Sequence, residues 1–286
     1  MTLIVRRVWL RAAAAMLVPS AATAIFAQQP RQIAQQPRQN GGTPTASAVQ
    51  KTLNAAGQQG RFTFIVFSKE DNPATQDMLQ AVRQSAERRP SKAVVTAARV
   101  NDPAERELVT RLGIGRAPMP LTVAVAPNGA VTGIFPKQFT EDNMEAAIVT
   151  PTMTRCMRML QDKKLVFVLV AASGQPEAPL GVKALQTDAQ FRDRIVFATL
   201  RMDDPAEERF VTQMKLQRDQ VVGPYAVLIA PPGVMVGHFD SDASAAQIAA
   251  AIHKSGQCCD DPNCKHNQQN VPPGRQAQAP AGSRKN

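Results

Sequence analysis

The sequence is poor in aromatic residues and histidine, and it has few of the motifs that carry catalysis. Aromatic residues make up 5% of the chain, with one Trp and one Tyr. The cores must therefore be built mainly from Val, Leu, Ile, Ala and Met. His238, His253 and His266 are scattered, and no nucleophilic serine turn, paired carboxylate motif or phosphate-binding glycine loop is present. The common hydrolase and nucleotide-binding classes are thereby disfavoured.

Long hydrophobic runs are also missing after the first 27 residues. Residues 1–27 combine a basic start with an apolar stretch that is short for a membrane span and ends at small residues. This pattern predicts a signal peptide cleaved after Ala24 or Ala27, with a retained anchor as the alternative. We expect an exported protein, periplasmic or extracellular, that keeps no stable membrane span after cleavage.

Positive charge is in excess, but the excess lies at the two ends of the chain. The formal net charge is +10, whereas residues 50–252 carry 23 basic and 21 acidic side chains. A body this balanced offers no phosphate-binding field, so nucleic acid is not an expected partner. Residues 28–47, rich in Gln, Pro and Arg with AQQPRQ occurring twice, predict a disordered linker.

A long internal repeat dominates the rest of the chain. Residues 101–110 match 203–212 at six of ten positions, and 120–135 match 224–239 at seven of sixteen. The offset changes from 102 to 104 between the two parts, which indicates a two-residue insertion in the loop before Pro224. A repeat of this length predicts two copies of one domain rather than a solenoid.

Each copy shows the same order of predicted elements. The apolar runs at 62–68 and 165–171 predict strands buried on both faces. A helix separates each run from a second strand, at 93–100 and 195–200, so these strands should be parallel. Later strands, 121–126 with 130–135 and 225–230 with 234–239, are joined by turns at Asn128-Gly129 and Gly233.

The segment between these strand pairs has a strong helix start in both copies. Asp102 and Asp204 are placed to cap, and Pro103 and Pro205 suit the first helical position. Glu105 is expected to complete a capping box with Asp102. The helical spacing predicts a buried face made of Ala104, Leu108, Val109 and Leu112.

This order of elements resembles the thioredoxin fold. The residues that carry the resemblance are Asp102-Pro103, Met119-Pro120 and Asn128-Gly129, with Asp204-Pro205, Gly223-Pro224 and Gly233 in the second copy. The resemblance implies an α/β protein of two tandem thioredoxin-like domains, 48–150 and 151–255, each a mixed sheet flanked by helices. It also implies cis bonds before Pro120 and Pro224, and peptide binding at Met119, Pro120, Gly223 and Pro224.

The sequence departs from the family where its chemistry is located. Thioredoxin chemistry needs a thiolate at a helix N-terminus and a second cysteine three residues later. The corresponding loops here, 71–75 and 173–176, contain no cysteine. Neither domain should therefore carry out dithiol exchange at that place, and Asn72 or Thr75 is expected only to cap the helix.

The four cysteines fall into two groups. Cys156 shares a helical face with Met153, Met157 and Leu160, which predicts a small core residue, with a bond to a tail cysteine as the alternative. Three more cysteines crowd the polar tail, residues 256–286, which is otherwise expected to be disordered. A structural disulfide, a Zn or Cu(I) site with thiol ligands, and thiol exchange all remain open for Cys258, Cys259, Cys264 and His266.

Three functions follow from these observations. The first is an exported, redox-inactive binding or structural module without a cofactor, whose partner is a protein or peptide held beside Pro120. The second is thiol–disulfide chemistry carried by the tail cysteines, and the third is soft-metal handling by the same tail. The lack of a cysteine pair in either domain favours the first and argues against an enzyme.

Overall fold

A computed structural model describes residues 47–256. The predicted signal peptide, most of the predicted linker, and the tail cysteines with His266 lie outside the described residues. Domain 1 consists of α1 (Ala48–Gln58), β1 (Phe62–Ser68), α2 (Pro73–Glu87), β2 (Ala93–Arg99), α3 (Arg106–Leu112), β3 (Leu121–Val125), β4 (Val131–Pro136) and α4 (Glu141–Ala147).

Domain 2 repeats that order after a three-residue connection. It consists of α5 (Pro151–Gln161), β5 (Leu165–Ala171), α6 (Leu180–Thr187), β6 (Ile195–Arg201), α7 (Glu208–Gln213), β7 (Tyr225–Ala230), β8 (Val234–Phe239) and α8 (Ala245–Lys254). A short 3₁₀ turn precedes the middle helix of each domain, at Pro103–Glu105 and Pro205–Glu207.

Each domain contains one four-stranded mixed sheet. The strand orders are β2-β1-β3-β4 and β6-β5-β7-β8. The first strand pairs in parallel with the second and antiparallel with the third, and the third and fourth form an antiparallel hairpin. The predicted fold class, two mixed sheets flanked by helices, is confirmed.

The central strands are buried on both faces, as their apolar runs predict. All seven residues of β1 are buried, and Phe64, Phe67 and Phe167 have no exposed area. Burying one such side chain stabilises the fold by roughly 1.5–3 kcal/mol. In domain 1 the cluster around Phe64 includes residues of α2 and α4, and the cluster around Phe67 includes residues of α1 and α3. Helices thus cover both faces of the sheet.

The start of the middle helix differs from the prediction in one respect. Asp102 and Asp204 do cap, each accepting from the N–H two residues later at 2.9 Å. The predicted capping box and the burial of Ala104 are wrong: Glu105 is 4% exposed, and Ala104 faces solvent. The first three residues form a 3₁₀ turn with three residues per turn, which rotates Glu105 rather than Ala104 towards the core.

The buried glutamate ties two distant helices together in both domains. Ser47 caps α1 and donates from its hydroxyl to Glu105 Oε2 at 2.9 Å. In domain 2 the Thr152 N–H, in the first turn of α5, donates to Glu207 Oε1 at 2.7 Å. A carboxylate suits the positive end of a helix dipole. The same hydrogen bond between a buried glutamate and the start of the first helix is therefore present in both domains, although the donor is a hydroxyl in domain 1 and a backbone N–H in domain 2.

The two domains are held in contact by α5. The Asn128 side chain donates to Thr154 O at 2.9 Å. The Gln161 amide accepts from Val131 N–H at 3.0 Å and donates to Val131 O at 2.7 Å. Met153 and Met157 pack partly against the domain 1 core. The first helix of domain 2 therefore also covers the β3–β4 end of domain 1.

Candidate peptide-binding site

The loop after β1 caps a helix instead of carrying a reactive group. Asn72 accepts from Thr75 N–H at 3.0 Å, and the Thr75 hydroxyl donates to Glu70 O at 3.0 Å. Pro73 occupies the first turn of α2, where a missing N–H has no cost. The capping role predicted for Asn72 is confirmed, whereas the Thr75 side chain bonds to the loop carbonyl of Glu70 and does not cap. The Asp71 carboxylate also accepts from the Gln76 side chain, so this loop orders the N-terminus of α2 by hydrogen bonds.

The corresponding loop of domain 2 is longer and less constrained. After β5 ends at Ala171, the chain runs through residues 172–179 before α6 begins, and Pro179 at the N-cap position makes no side-chain capping bond. Ser173, Gln175 and Glu177 in this loop are exposed. The loop therefore presents hydroxyl, amide and carboxylate groups to solvent at the end of the central strand β5.

The two strand-opening prolines adopt different conformations. The Met119–Pro120 bond is cis, as the resemblance implies. The cis bond expected before Pro224 is wrong, because within residues 47–256 the other cis bond joins Pro231 and Pro232. Gly223 has a φ of +78°, which glycine adopts without steric cost. Together with the two-residue insertion, this glycine redirects the chain into β7 through a trans bond.

A crevice of about 410 Å³ in domain 2 lies between the end of β5 with its following loop and the segment that leads into β7. Val170, Ala171 and Val221 contribute apolar surface, while residues 173–177 contribute polar groups and Gly223-Pro224 supplies backbone. The two most exposed large hydrophobic side chains of the described chain are close in sequence to residues that line this crevice. Leu180, 75% exposed, follows the loop after β5, and Val222, 76% exposed, stands between two residues that line the crevice.

The predicted binding residues therefore differ in accessibility. Pro120 is buried and Met119 partly buried, whereas Gly223 is exposed and Pro224 partly exposed. Domain 2 offers a crevice at this place that a ligand can enter. Sequence reasoning missed Leu180 and Val222, because Leu180 begins the apolar face of α6 and Val222 is adjacent to the buried Val221.

Cys156 is a core residue with an unreactive thiol. It is 1% exposed and forms no disulfide with another described residue. Burial away from water raises its pKa to about 12, because the charged thiolate loses its hydration there. The interpretation of Cys156 as a core residue is confirmed, and the thiol is not ionised at neutral pH.

The described part of the chain holds neither a metal-ligand cluster nor a membrane-spanning helix. Residues 47–256 hold no group of three or more His, Cys, Asp and Glu side chains that could bind a metal ion. Among the same residues, no helix combines the length and the apolar character needed to cross a membrane.

Burial lowers the pKa of His238, which contacts the Tyr225 hydroxyl through Nδ1 at 3.0 Å.

Comparisons with known proteins return structural likeness only. No protein-family model matches the sequence, and no curated protein matches it. An uncharacterised thioredoxin-like protein from Clostridium perfringens is similar at 17% identity over 34% of this chain and 71% of that chain, with a TM-score of 0.27.

Two further solved structures show the same kind of likeness. A disulphide isomerase from Xylella fastidiosa is 19% identical over 38% of this chain and 78% of that chain, with a TM-score of 0.21. The first two thioredoxin domains of Eps1p from Naumovozyma dairenensis are 10% identical over 73% of this chain and 95% of that one, with a TM-score of 0.26. In sheet order and helix placement, both domains of this chain are thioredoxin-like.

Proposed function

We propose that this tandem thioredoxin-like protein is an exported, redox-inactive binding module that holds an extended peptide segment in the crevice of domain 2. The observation that carries the proposal is the position of that crevice. It lies where β5 meets its following loop and where Pro224 opens β7, and two exposed apolar residues are close in sequence to its lining: Val222 lies between Val221 and Gly223, and Leu180 is three residues after Glu177. Surface hydrophobic residues gathered at a concave site favour ligand binding.

The chemistry of the two loops supports binding without exchange. A disulfide exchange step needs a thiolate to attack, and a second thiol to release the mixed disulfide. Asn72 and Thr75 occupy the loop of domain 1 with hydrogen bonds to the backbone, and Ser173 and Gln175 occupy that of domain 2. The exposed Ser173 and Gln175 can hold a peptide by hydrogen bonds, and none of the four side chains has a thiol that could form a disulfide.

The crevice provides both kinds of contact that an extended peptide needs. Backbone groups at Gly223 can pair with a peptide backbone, which gives affinity independent of sequence. Leu180 and Val222 can cover an apolar side chain of the peptide, and Ser173 and Gln175 can pair with its polar groups. The surface of Met119 and Pro120 in domain 1 is the equivalent position, where we propose a weaker second contact.

A second function remains for the tail, based on its three cysteines. Cys258, Cys259 and Cys264, with His266, have ligand types that suit a disulfide, thiol exchange or a soft metal. We propose a structural disulfide without a metal cofactor. Intact mass and metal content of the natively exported protein, before and after reduction, separate these cases, and stoichiometric metal or a labile disulfide would refute the structural disulfide.

Turnover of a disulfide substrate tests redox inactivity directly. We expect the full chain to reduce or oxidise a model disulfide protein no faster than the reagent background. Turnover that Cys258→Ser or Cys259→Ser abolishes would move the chemistry to the tail and refute a purely binding role. Turnover that survives removal of every tail cysteine would instead contradict the assignment of Cys156 as an unreactive thiol.

Peptide binding at the crevice is tested with a displayed library of random linear peptides. Peptides enriched on the full chain should bind Leu180→Asp or Val222→Asp at least about tenfold more weakly, which corresponds to about 1.4 kcal/mol. Ile134→Asp is the matched control, because Ile134 is 53% exposed on β4, a strand of domain 1. N-methylation of the central peptide amides should also weaken binding. Equal binding to all three variants would refute the site.

A further inference from the structure

A second groove lies on another face of domain 2, formed by α5, α7 and the β7–β8 hairpin. Its volume is about 350 Å³. No charged residue lines it, and its polar lining residues are Gln161 and Gln213. The apolar and sulfur-containing side chains include Met153, Met157, Leu160, Phe210, Met214 and Met235. We call this surface the methionine groove. Met235, at its edge, is 40% exposed.

The duplication supplies a comparison for this groove within the chain itself. The equivalent crevice of domain 1 lies between α1, α3 and the β3–β4 hairpin. Both first helices have eleven residues, so Gln50, Asn54 and Gly57 of α1 correspond to Met153, Met157 and Leu160 of α5. The same backbone position is thus polar or small in domain 1 and apolar in domain 2.

The two crevices also differ in what stands over them. In domain 1, α5 forms the outer wall with Arg158, Gln161 and Asp162. Gln161 makes two hydrogen bonds to the backbone of Val131, a partly buried residue of the edge strand β4. Val131 faces Val125 in the sheet register as Met235 faces Ile229, so Met235 is its counterpart. Every residue that lines the methionine groove comes from domain 2 itself.

We propose that the methionine groove binds an amphipathic helix of a partner protein, in the way that α5 docks on domain 1. The contact between α5 and domain 1 shows that this fold accepts a helix beside its edge strand, where Gln161 bonds to the backbone of Val131. Methionine side chains adapt to differently shaped apolar partners. The uncharged lining matches a partner helix whose apolar face carries Leu, Phe or Met.

Other parts of this chain fit the groove poorly. The α1 helix of a second copy would present Gln50, Asn54 and Gln58 at the positions through which α5 contacts its neighbour, and these amides do not complement methionine. The tail, residues 257–286, contains Val271 as its one large aliphatic residue. Burial of apolar area is what would drive docking, so neither segment supplies enough of it.

The proposal is tested on the full chain with methionine methyl NMR. The probe is a helical Leu/Lys peptide with one apolar face, and a peptide of the same composition in scrambled order is its control. We expect shifts at the methyl groups of Met153, Met157, Met214 and Met235, with Met78 and Met144 in the domain 1 core unchanged. The affinity should vary little with ionic strength, because no charge lines the groove.

A matched pair of substitutions locates the binding surface. Met235→Glu should weaken binding of the Leu/Lys peptide at least about tenfold. Val234→Glu should leave it unchanged, because Val234 is similarly exposed, at 49%, but does not line the groove. Since neither residue is buried, both variants should fold, and their circular dichroism spectra verify this.

Several outcomes would overturn the proposal. Equal binding of the scrambled peptide, or equal effects of the two substitutions, would show that the groove does not recognise a helix. Methyl shifts on deletion of residues 257–286 would identify the tail as the occupant. A concentration-dependent dimer with the same shifts would identify a second copy. A small apolar dye that the helical peptide cannot displace would identify a small-molecule site.

Loss of peptide binding at the Leu180–Val222 crevice would leave this proposal intact, because the two surfaces use different residues.

Discussion

The buried thiol of Cys156 gives a prediction that can be worked out quantitatively. Replacing Cys258, Cys259 and Cys264 by Ser leaves it as the one thiol among the four of the chain. At pH 8 an ordinary thiol, with a pKa of about 8.5, is about one-quarter ionised. With a pKa of about 12, Cys156 is ionised in roughly one molecule in ten thousand. Its thiolate fraction is about a thousandfold lower, and the higher nucleophilicity of a more basic thiolate offsets only part of this, so its reaction with a disulfide reagent should be slower by at least about tenfold.

The absorbance of the released thiol from an aromatic disulfide reagent measures this rate. In the folded triple variant we expect slow release that rises about tenfold per pH unit between pH 7 and pH 10. In concentrated guanidinium chloride, Cys156 should react at the rate of a small thiol. Adding Cys156→Ser to the triple variant should abolish release in both conditions. Rapid release from the folded protein at pH 8 would refute the burial argument.

The same shift sets the direction of a pH effect on stability. The folded pKa is raised, so the stabilisation from the neutral thiol is complete below the unfolded pKa and is lost as the pH rises towards 12. At pH 10 the expected loss is about 2 kcal/mol relative to pH 7. Urea titration of the triple variant with and without Cys156→Ala should show that only the thiol-containing protein has this loss. Equal losses in both would assign the effect to other groups.

Two further predictions concern contacts inside domain 2. Gly181→Ala places a Cβ 2.2 Å from a backbone oxygen next to α8, so it should lower the stability by about 1–3 kcal/mol and the melting temperature by several degrees. Gly115→Ala, where the nearest atom is 3.8 Å away, is the control, and equal effects would contradict the clash. Glu207→Ala removes the acceptor of the Thr152 N–H, so the free energy of unfolding should fall by about 1–3 kcal/mol. Unchanged urea denaturation would show that the hydrogen bond between Glu207 and Thr152 does not stabilise the domain.

The sequence predicts well what short-range physics determines. The strands at 62–68 and 165–171 have the predicted bounds, because a run that is apolar on both faces has few other places to be buried. Capping by Asp102, Asp204 and Asn72 depends on residues within four positions of each other, so pattern and structure agree.

Long-range contacts could not be predicted in the same way. Glu105 has the spacing of a capping residue, but its carboxylate pairs with Ser47, 58 residues earlier. The conformation before Pro224 depends on the left-handed Gly223 and on a two-residue insertion, not on the proline itself. The methionine groove also escaped prediction, since Met153 and Met157 fit a core face equally well until the position of domain 1 is known.

Thr150 has a consequence for how the chain can be divided. As the last residue of one domain, it caps the first helix of the next, accepting from Met153 N–H at 3.4 Å. A cut after Thr150 would separate this cap from α5 and strip Gln161 from the backbone of Val131. The two duplicated domains therefore cannot replace one another, because each makes different contacts with its neighbour. Each half contributes contacts that the other needs, so the two domains are best expressed together.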